Sequence, residues 1–232
     1  MKLKEIIEFI DEKIPPELAL SNDKVGFSKD YDLSEDIDAI KIYMDLTPCD
    51  DCFDKNTLII THHPPLFIPK TPTYTIHSNW DIIKGGANEA LGDKLNLKII
   101  DVFDKTNNIG RICENNTNFR QLLDIILNEF DYANIVNRPD DLKIIKSIGI
   151  ISGFGLKNRD YIKLAKNKNL DVLISGDLTQ ENAILAINLD LTLIDLGHHN
   201  SEVPGLYYLK EILDELNIKC EVINKNPIEN RF

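Results

Sequence analysis

The chain has 232 residues, of which 43% are hydrophobic and 28% charged, a composition typical of one or two globular domains. Its net charge of −12 opposes broad, non-specific contact with nucleic acid or anionic membranes. It contains no apolar run of about 18 residues, and the start, MKLKEIIEFIDEKI, lacks a signal-peptide core, so we expect a cytoplasmic protein without a membrane span.

The first half of the chain alternates between helical and strand patterns. Residues 3–14 place apolar side chains at helical spacing, and two prolines end this predicted helix. Short apolar runs predict strands at 39–45 (AIKIYMD), 57–60 (TLII) and 97–101 (LKIID). Residues 78–95 are helical in character, with an interruption at two glycines.

The second half continues this alternation, which predicts an α/β fold with a largely parallel or mixed sheet in each half. The predicted strands are IIKSIGIIS (144–152), LDVLISGD (170–177), LTLID (191–195) and KCEVIN (219–224). The predicted helices are FRQLLDIILNEF (119–130), RDYIKLAKN (159–167), QENAILAINL (180–189) and a last helix that starts near Pro204.

The least regular stretch, DYANIVNRPDDL (131–142), suggests that a domain boundary falls between about 115 and 142. We therefore expect a first domain of residues 1–125 and a second of residues 126–232, with the C-terminal helix packing back on the first.

Four of the five histidines form two adjacent pairs, His62–His63 in THHPPLF and His198–His199 in GHHNSE, and each pair follows a predicted strand. Ligands bind α/β sheets outside the carboxyl ends of strands, and imidazole suits several divalent metals. Adjacent side chains point in different directions, so His62 and His63 are better placed to reach two ions than one. The alternative is that these histidines only cap or cover the surface.

Carboxylates accompany both pairs. Glu202 stands four residues after His198, where it can reach the same centre and bridge two ions, or instead interact with a helix dipole behind a Ser201 cap. Asp101 and Asp104 end another strand, where they could bind metal or cap the turn of KTNNIG. Together these strand ends carry a ligand set suited to two ions about 3.5–4 Å apart.

The motif THHPPLF, an aspartate six residues before a glycine, and GHxxSE near the C-terminus resemble the Nif-three-like proteins, which are also described as GTP cyclohydrolase I type 2 homologs or dinuclear metal centre hexameric proteins. NDKVGF (22–27), YMDLTP (43–48) and DVLISGD (171–177) resemble further elements of that family. The resemblance implies two facing α/β domains with mixed sheets, a metal site between them at the strand carboxyl ends, and a toroidal homohexamer.

Carried over by position, the resemblance implies a set of metal ligands. His62 and His63 would each bind one ion, Asp104 would bind one ion and His198 the other, and Glu202 would bind both. The ions would be two divalent metals per chain, from zinc, iron, manganese, cobalt or nickel.

Two positions depart from the family pattern. Many members have a histidine four residues before the aspartate. In this chain the residue four positions before Asp104 is Ile100. Members often also carry a histidine just after the GD element, where this chain has Gln180, Glu181 and Asn182. The departures leave the five implied ligands intact.

Five further residues have roles that the sequence leaves open. Asp45 and Asp177 follow strands and either accept a hydrogen bond from a ligating imidazole or belong to the start of a helix. His77, in YTIHSNWD, either contacts substrate or lies in the surface or core. We expect His199 not to be a ligand, and Asp101 could replace the missing family histidine.

These features predict a metal-dependent hydrolase of a nucleotide-like or phosphate-bearing small molecule, acting through a metal-activated water. One alternative is a non-catalytic, hexameric metal-binding scaffold. Another is a regulatory or nucleic-acid-binding protein, and the net charge weighs against nucleic acid.

Overall fold

The structure is a computed structural model that describes residues 1–52 and 55–228. Over these residues the chain forms seven α-helices and eleven β-strands. The helices are α1 (Leu3–Lys13), α2 (Ser78–Ile82), α3 (Ala87–Lys94), α4 (Phe119–Glu129), α5 (Arg159–Asn167), α6 (Gln180–Asn188) and α7 (His198–Asp214). The strands are β1 (Gly26–Phe27), β2 (Ala39–Tyr43), β3 (Thr57–Thr61), β4 (Thr73–Thr75), β5 (Lys98–Asp104), β6 (Ile109–Asn118), β7 (Asn134–Val136), β8 (Ile144–Ile150), β9 (Val172–Ser175), β10 (Thr192–Asp195) and β11 (Lys219–Ile223). Among the described helices, none combines the length and apolar character that crossing a membrane requires.

The chain packs into two compact units. The first unit contains Met1–Gly86 together with the described residues from Leu206 onward. Its five-stranded sheet has the order β1-β4-β3-β2-β11, in which β1 is antiparallel and the other four strands are parallel. Every residue of β3 is buried, as expected for a central parallel strand made of a continuous apolar run.

The second unit contains Ala87–Gly205. Its six-stranded sheet has the order β5-β6-β8-β9-β10-β7, in which only β8, β9 and β10 run parallel. Aliphatic and aromatic side chains from α3, α4 and these strands form a continuous core, in which each fully buried Leu, Ile or Phe contributes about 1.5–3 kcal/mol. The two sheets are both mixed, and the predicted α/β class is therefore confirmed.

The ten-residue strand β6 was not predicted. Its polar second half, ENNTN, lacks the apolar alternation of a strand, but β6 pairs with β5 as far as Glu114 and with β8 as far as Asn118. The ladder, rather than side-chain pattern, therefore holds this segment extended. The interruption expected within 78–95 is present, since α2 ends at Ile82 and α3 begins at Ala87.

The last helix begins at His198, six residues before the predicted start near Pro204, so that prediction is wrong. Gly197, with φ +78°, ends the preceding turn, and Pro204 lies inside the helix. The earlier start matters because it places His198 and Glu202 one turn apart on a single helix.

The grouping of residues differs from the expected division at 125/126. Residues on both sides of that position share the core of the second unit, because β6 and α4 precede it while β8, β9 and β10 follow it. The residues from Leu206 belong with the first unit, where β11 pairs in parallel with β2.

Candidate metal centre

Two neighbouring strands of the first unit deliver three histidines to one edge of the sheet. β3 and β4 are parallel with Thr61 opposite Thr75, so His62 and His63 leave the sheet at the same end as His77. The ring centroids lie 4.9 to 5.3 Å apart. One nitrogen of each ring lies within 4.8 Å of the others, so the three imidazoles, here called the imidazole cluster, could hold a metal ion.

Each imidazole of the cluster is fixed by a hydrogen bond at Nδ1. The acceptors are oxygens that carry no proton, so Nδ1 must donate and the neutral ring presents an unprotonated Nε2, which is the form that binds metal. The pairs are His62 with the carbonyl oxygen of Ile76 (3.2 Å), His63 with Asp45 Oδ1 (2.8 Å) and His77 with Asp23 Oδ1 (2.8 Å).

Asp23 is itself held in place. Its Oδ2 accepts hydrogen bonds from the backbone N–H of Ser78 (3.0 Å) and from the Ser78 hydroxyl. Burial raises the pKa of Asp23, but the hydrogen bonds from Ser78 and His77 outweigh burial and lower it. Asp23 therefore stays ionised and keeps His77 in one tautomer.

A carboxylate that the sequence analysis did not select also reaches the cluster. Asp81 lies on α2, four residues after His77, and its Oδ1 is 3.6 Å from His62 Nε2. The Asp81 side chain is only 14% exposed. A carboxylate at this distance from Nε2 is placed to share an ion with His62.

Asp104, by contrast, is bound to its own turn. Its Oδ1 accepts from the backbone N–H of Thr106 (3.0 Å) and its Oδ2 from the Asn107 amide (2.9 Å). Burial and then the nearby Asp104 carboxylate raise the pKa of Tyr161 to about 12. Within residues 1–52 and 55–228, no three-residue group of potential ligands includes Asp104.

Asp101 also has a local role. It forms an ion pair with Lys105 (2.7 Å) and accepts from the backbone N–H of Val102 (2.9 Å). Its pKa is lowered first by the Lys105 hydrogen bond and then by that of Val102.

The second unit contributes a histidine and a carboxylate from the first turns of α7. His198 Nε2 is 3.1 Å from Glu202 Oε2, and His198 Nδ1 donates to Asp177 Oδ2 at 3.0 Å. β9 and β10 are parallel, so Asp177 and His198 follow strands that end at the same edge of the sheet. Glu202 is 3% exposed, a strong reason for a carboxylate to have a cationic partner.

The charges around His198 keep it protonated. Burial lowers the pKa of this imidazole, but the hydrogen bond and charge of Glu202, followed by those of Asp177, raise it to about 9. A metal ion that binds Nε2 of His198 must therefore displace a proton at neutral pH.

Gly153, in the loop after β8, makes room for this pair. A Cβ at Gly153 would lie 2.1 Å from Glu202 Oε1, and the residue has φ +76°. The Gly153 N–H donates to the Ser201 hydroxyl (2.9 Å), which in turn donates to the carbonyl oxygen of His198 (2.9 Å). Ser201 thus ties this loop to α7, a role different from the helix cap that the sequence suggested.

One known protein family matches this chain over nearly its whole length. The profile of the DUF34/NIF3 family (NGG1p interacting factor 3) matches residues 1–73 and 70–228. The chain belongs to the DUF34/NIF3 family. This is the family that the histidine motifs resemble.

Relatives of this NIF3-family chain include two proteins named GTP cyclohydrolase 1 type 2 homolog. The one from Methanothermobacter thermautotrophicus is 34% identical over 97% of this chain and 93% of its own. The one from Methanocaldococcus jannaschii is 32% identical over 97% of this chain and 99% of its own.

Solved structures agree with the fold of this NIF3-family chain. Reduced HcgD from Methanocaldococcus jannaschii superposes with a TM-score of 0.82 at 30% identity, covering 97% of this chain and 98% of the other. A Bacillus cereus protein related to NIF3 superposes with a TM-score of 0.84 at 17% identity, covering 100% and 99%, and supports the fold alone.

The NIF3 resemblance includes a histidine four residues before an aspartate, and His77 and Asp81 have this spacing. Asp104 lies six residues before Gly110, but Ile100 stands at the position of the histidine. His77 and Asp81 are four residues apart, as are His198 and Glu202. This spacing is the feature of the sequence from which Asp81 could have been predicted as a ligand.

The donor set fits the metal that the NIF3 resemblance implies. Imidazole nitrogens with their other nitrogen bonded to oxygen, accompanied by carboxylates, suit zinc, iron, manganese, cobalt or nickel. Asp45 and Asp177 each accept from a candidate ligand, which is one of the two roles that the sequence left open. His199 and the four free cysteines join no three-residue ligand group in the described part of the chain.

Proposed function

We propose that this chain binds two divalent metal ions, with His62, His63 and Asp81 as ligands in the first unit and His198 and Glu202 in the second. The anchoring of the candidate imidazoles at Nδ1 carries the proposal, because a surface or capping histidine has no need of an acceptor that fixes its tautomer. The family resemblance supports the further prediction that Glu202 binds both ions.

Asp81 takes the place that the resemblance first gave to Asp104. Asp81 lies 3.6 Å from His62 Nε2, whereas both oxygens of Asp104 accept hydrogen bonds from its own turn. Asp104 stays a prediction, and a variant of each residue separates the two assignments.

We further propose a metal-dependent hydrolase of a nucleotide-like or phosphate-bearing small molecule. Divalent ions lower the pKa of a water from 15.7 toward about 7 and polarise a phosphoryl oxygen. The residues of the chain hold the site in place: Asp45 orients His63, Asp177 orients His198, and Glu202 supplies a buried negative charge. The relatives named GTP cyclohydrolase 1 type 2 homolog support a nucleotide-like substrate.

The family resemblance also leads us to propose a homohexamer, which light scattering of the purified protein would test. The net charge of −12 leads us to propose no broad binding to nucleic acid. A titration at two salt concentrations would reveal such binding as a steep salt dependence.

Metal analysis and an activity screen test the function together. We expect close to two transition-metal ions per chain after reconstitution, and hydrolysis of at least one nucleotide or phosphate ester with manganese, iron or zinc. His62→Ala should lose metal and activity, whereas the control His199→Ala should keep both. A metal-filled protein that is inactive on the whole panel favours the scaffold, and a protein without metal contradicts both functions.

A further inference from the structure

A cleft of about 600 Å³ lies in the first unit. One wall is the segment Lys24–Ser28, which includes β1, and the other is the segment Pro64–Ile68. This volume falls within the range of small-molecule sites.

Chain connections and one shared acceptor link the walls of this cleft to the imidazole cluster. Pro64 directly follows His63, and Thr75, which also lines the cleft, lies two residues before His77. The backbone N–H of Lys24 donates to Asp23 Oδ1 (2.9 Å), the same oxygen that accepts from His77. A molecule in the cleft would therefore border the proposed metal ligands.

The walls combine polar residues with apolar side chains and aromatic rings. Phe27 is fixed by an edge-to-face contact with Tyr74, with centroids 5.0 Å apart. Leu66 is fully exposed and Ile68 is 71% exposed, although both lie on a cleft wall. Accessible aromatic and aliphatic surface of this kind is typical of sites that bind flat rings.

Lys24 gives the cleft a positive charge. Among the residues that the structure describes, the Lys24 ammonium makes no ion pair, whereas Lys2 and Lys13 of the same unit are paired with Asp36 and Glu215. An unpaired lysine is well suited to an anion, particularly on a protein whose net charge of −12 disfavours anions elsewhere.

We propose that this cleft binds the ring-bearing end of a small organic anion, with Phe27 and Leu66 covering the ring and Lys24 pairing with the anionic group. The inference rests on the proposed function, because it makes an aromatic or heteroaromatic phosphate the substrate class of the metal centre. Lys24 thereby recognises the anionic group while Phe27 and Leu66 recognise the ring, and both parts of the molecule determine specificity.

Phenylphosphonate, which is not a phosphate ester and cannot be hydrolysed as one, is the probe. Calorimetric titration should show that it binds at least about tenfold more tightly than methylphosphonate, which lacks the ring, or benzyl alcohol, which lacks the charge. Lys24→Gln should weaken phenylphosphonate binding about tenfold, and Leu66→Ser should weaken it several-fold. Lys29→Gln and Leu33→Ser, exposed controls in the same unit, should have no effect.

Titrations of both metal-loaded and chelator-treated protein separate this inference from the metal proposal. Phenylphosphonate binding that depends on Lys24 without metal supports the cleft even if no hydrolysis is found. Equal affinity for methylphosphonate, or unchanged binding in Lys24→Gln with normal thermal unfolding, overturns the cleft even in a metal-filled, active protein. Binding of benzyl alcohol as tight as that of phenylphosphonate likewise overturns the role of Lys24.

Discussion

The carboxylate of Asp81 lies 3.6 Å from Nε2 of His62, the nitrogen that His62 does not use for its hydrogen bond to the backbone. This relationship gives His62 a carboxylate partner from a separate element, α2, whereas Asp104 is engaged in its own turn. Substitution of Asp81 and substitution of Asp104 should therefore have different effects on metal affinity.

Asp81→Asn should weaken metal binding in the first unit by at least about tenfold, since it removes a charged ligand from a largely buried position. Asp104→Asn should leave metal affinity unchanged and affect only the turn after β5 and the nearby Tyr161. Competition titration with a fluorescent chelator measures both. The reverse result would restore Asp104 as the ligand.

Asp45→Asn should reduce metal affinity about 10–100-fold without removing a ligand, because Asp45 orients His63 through Nδ1. Asp36→Asn is a suitable control, as Asp36 is an exposed acid that pairs only with Lys2 among the described contacts. Equal metal affinity in the two variants would show that the Asp45–His63 hydrogen bond has no effect on the ion.

The raised pKa of His198 makes the stability of the metal-free protein pH-dependent. Its pKa is about 9 in the folded chain against 6.5 for an unperturbed histidine, so the protonated form is favoured by folding. This contribution is complete below pH 6.5 and is lost as the pH rises through 9.

Thermal unfolding of the metal-free protein between pH 6 and 10 measures this loss, and His198→Gln should remove it. His199→Gln is the matched control and should unfold with the pH dependence of the natural chain. An unchanged pH profile in His198→Gln would mean that other groups cause the dependence.

Gly153→Ala should displace Glu202 and lower the metal affinity of the second unit, because the new Cβ would lie 2.1 Å from Glu202 Oε1. Gly85→Ala separates this clash from backbone strain. Gly85 has φ +77°, close to the +76° of Gly153, but a Cβ there meets nothing within 4 Å.

Both variants should lose about 1–3 kcal/mol of unfolding free energy from the left-handed backbone, and only Gly153→Ala should lose metal. Chemical denaturation and metal analysis of the two proteins decide the matter. Equal metal content would show that the Gly153 loop does not limit the position of Glu202.

Much of the fold could be predicted because strong patterns coincide with buried elements. The apolar run TLII becomes the fully buried β3, and both histidine pairs follow strands as expected. β6 could not be predicted, since its extended form depends on hydrogen bonds to β5 and β8 rather than on its polar side chains. The pairing of β11 with β2 joins distant parts of the chain and leaves no local signal.

The site was only partly predictable for similar reasons. Ser201, Glu202 and Pro204 together imitate the start of a helix, and this pattern concealed the true start at His198. Asp81 lies within a segment with the pattern of an ordinary helix, in which an aspartate is usually exposed to solvent. Its contact with His62 depends on the three-dimensional position of α2 beside the end of β3.

The hydrogen bonds at Nδ1 have a consequence for the choice of metal. Asp45 fixes the ring of His63 and Asp177 fixes the ring of His198, so these two rings need little further ordering when an ion arrives. Imidazole and carboxylate donors accept several first-row metals, with affinities that follow the Irving–Williams series. The metal recovered with the protein would then reflect the supply in the cell that produced it, and growth in media with different metal contents should change the occupant without changing the fold.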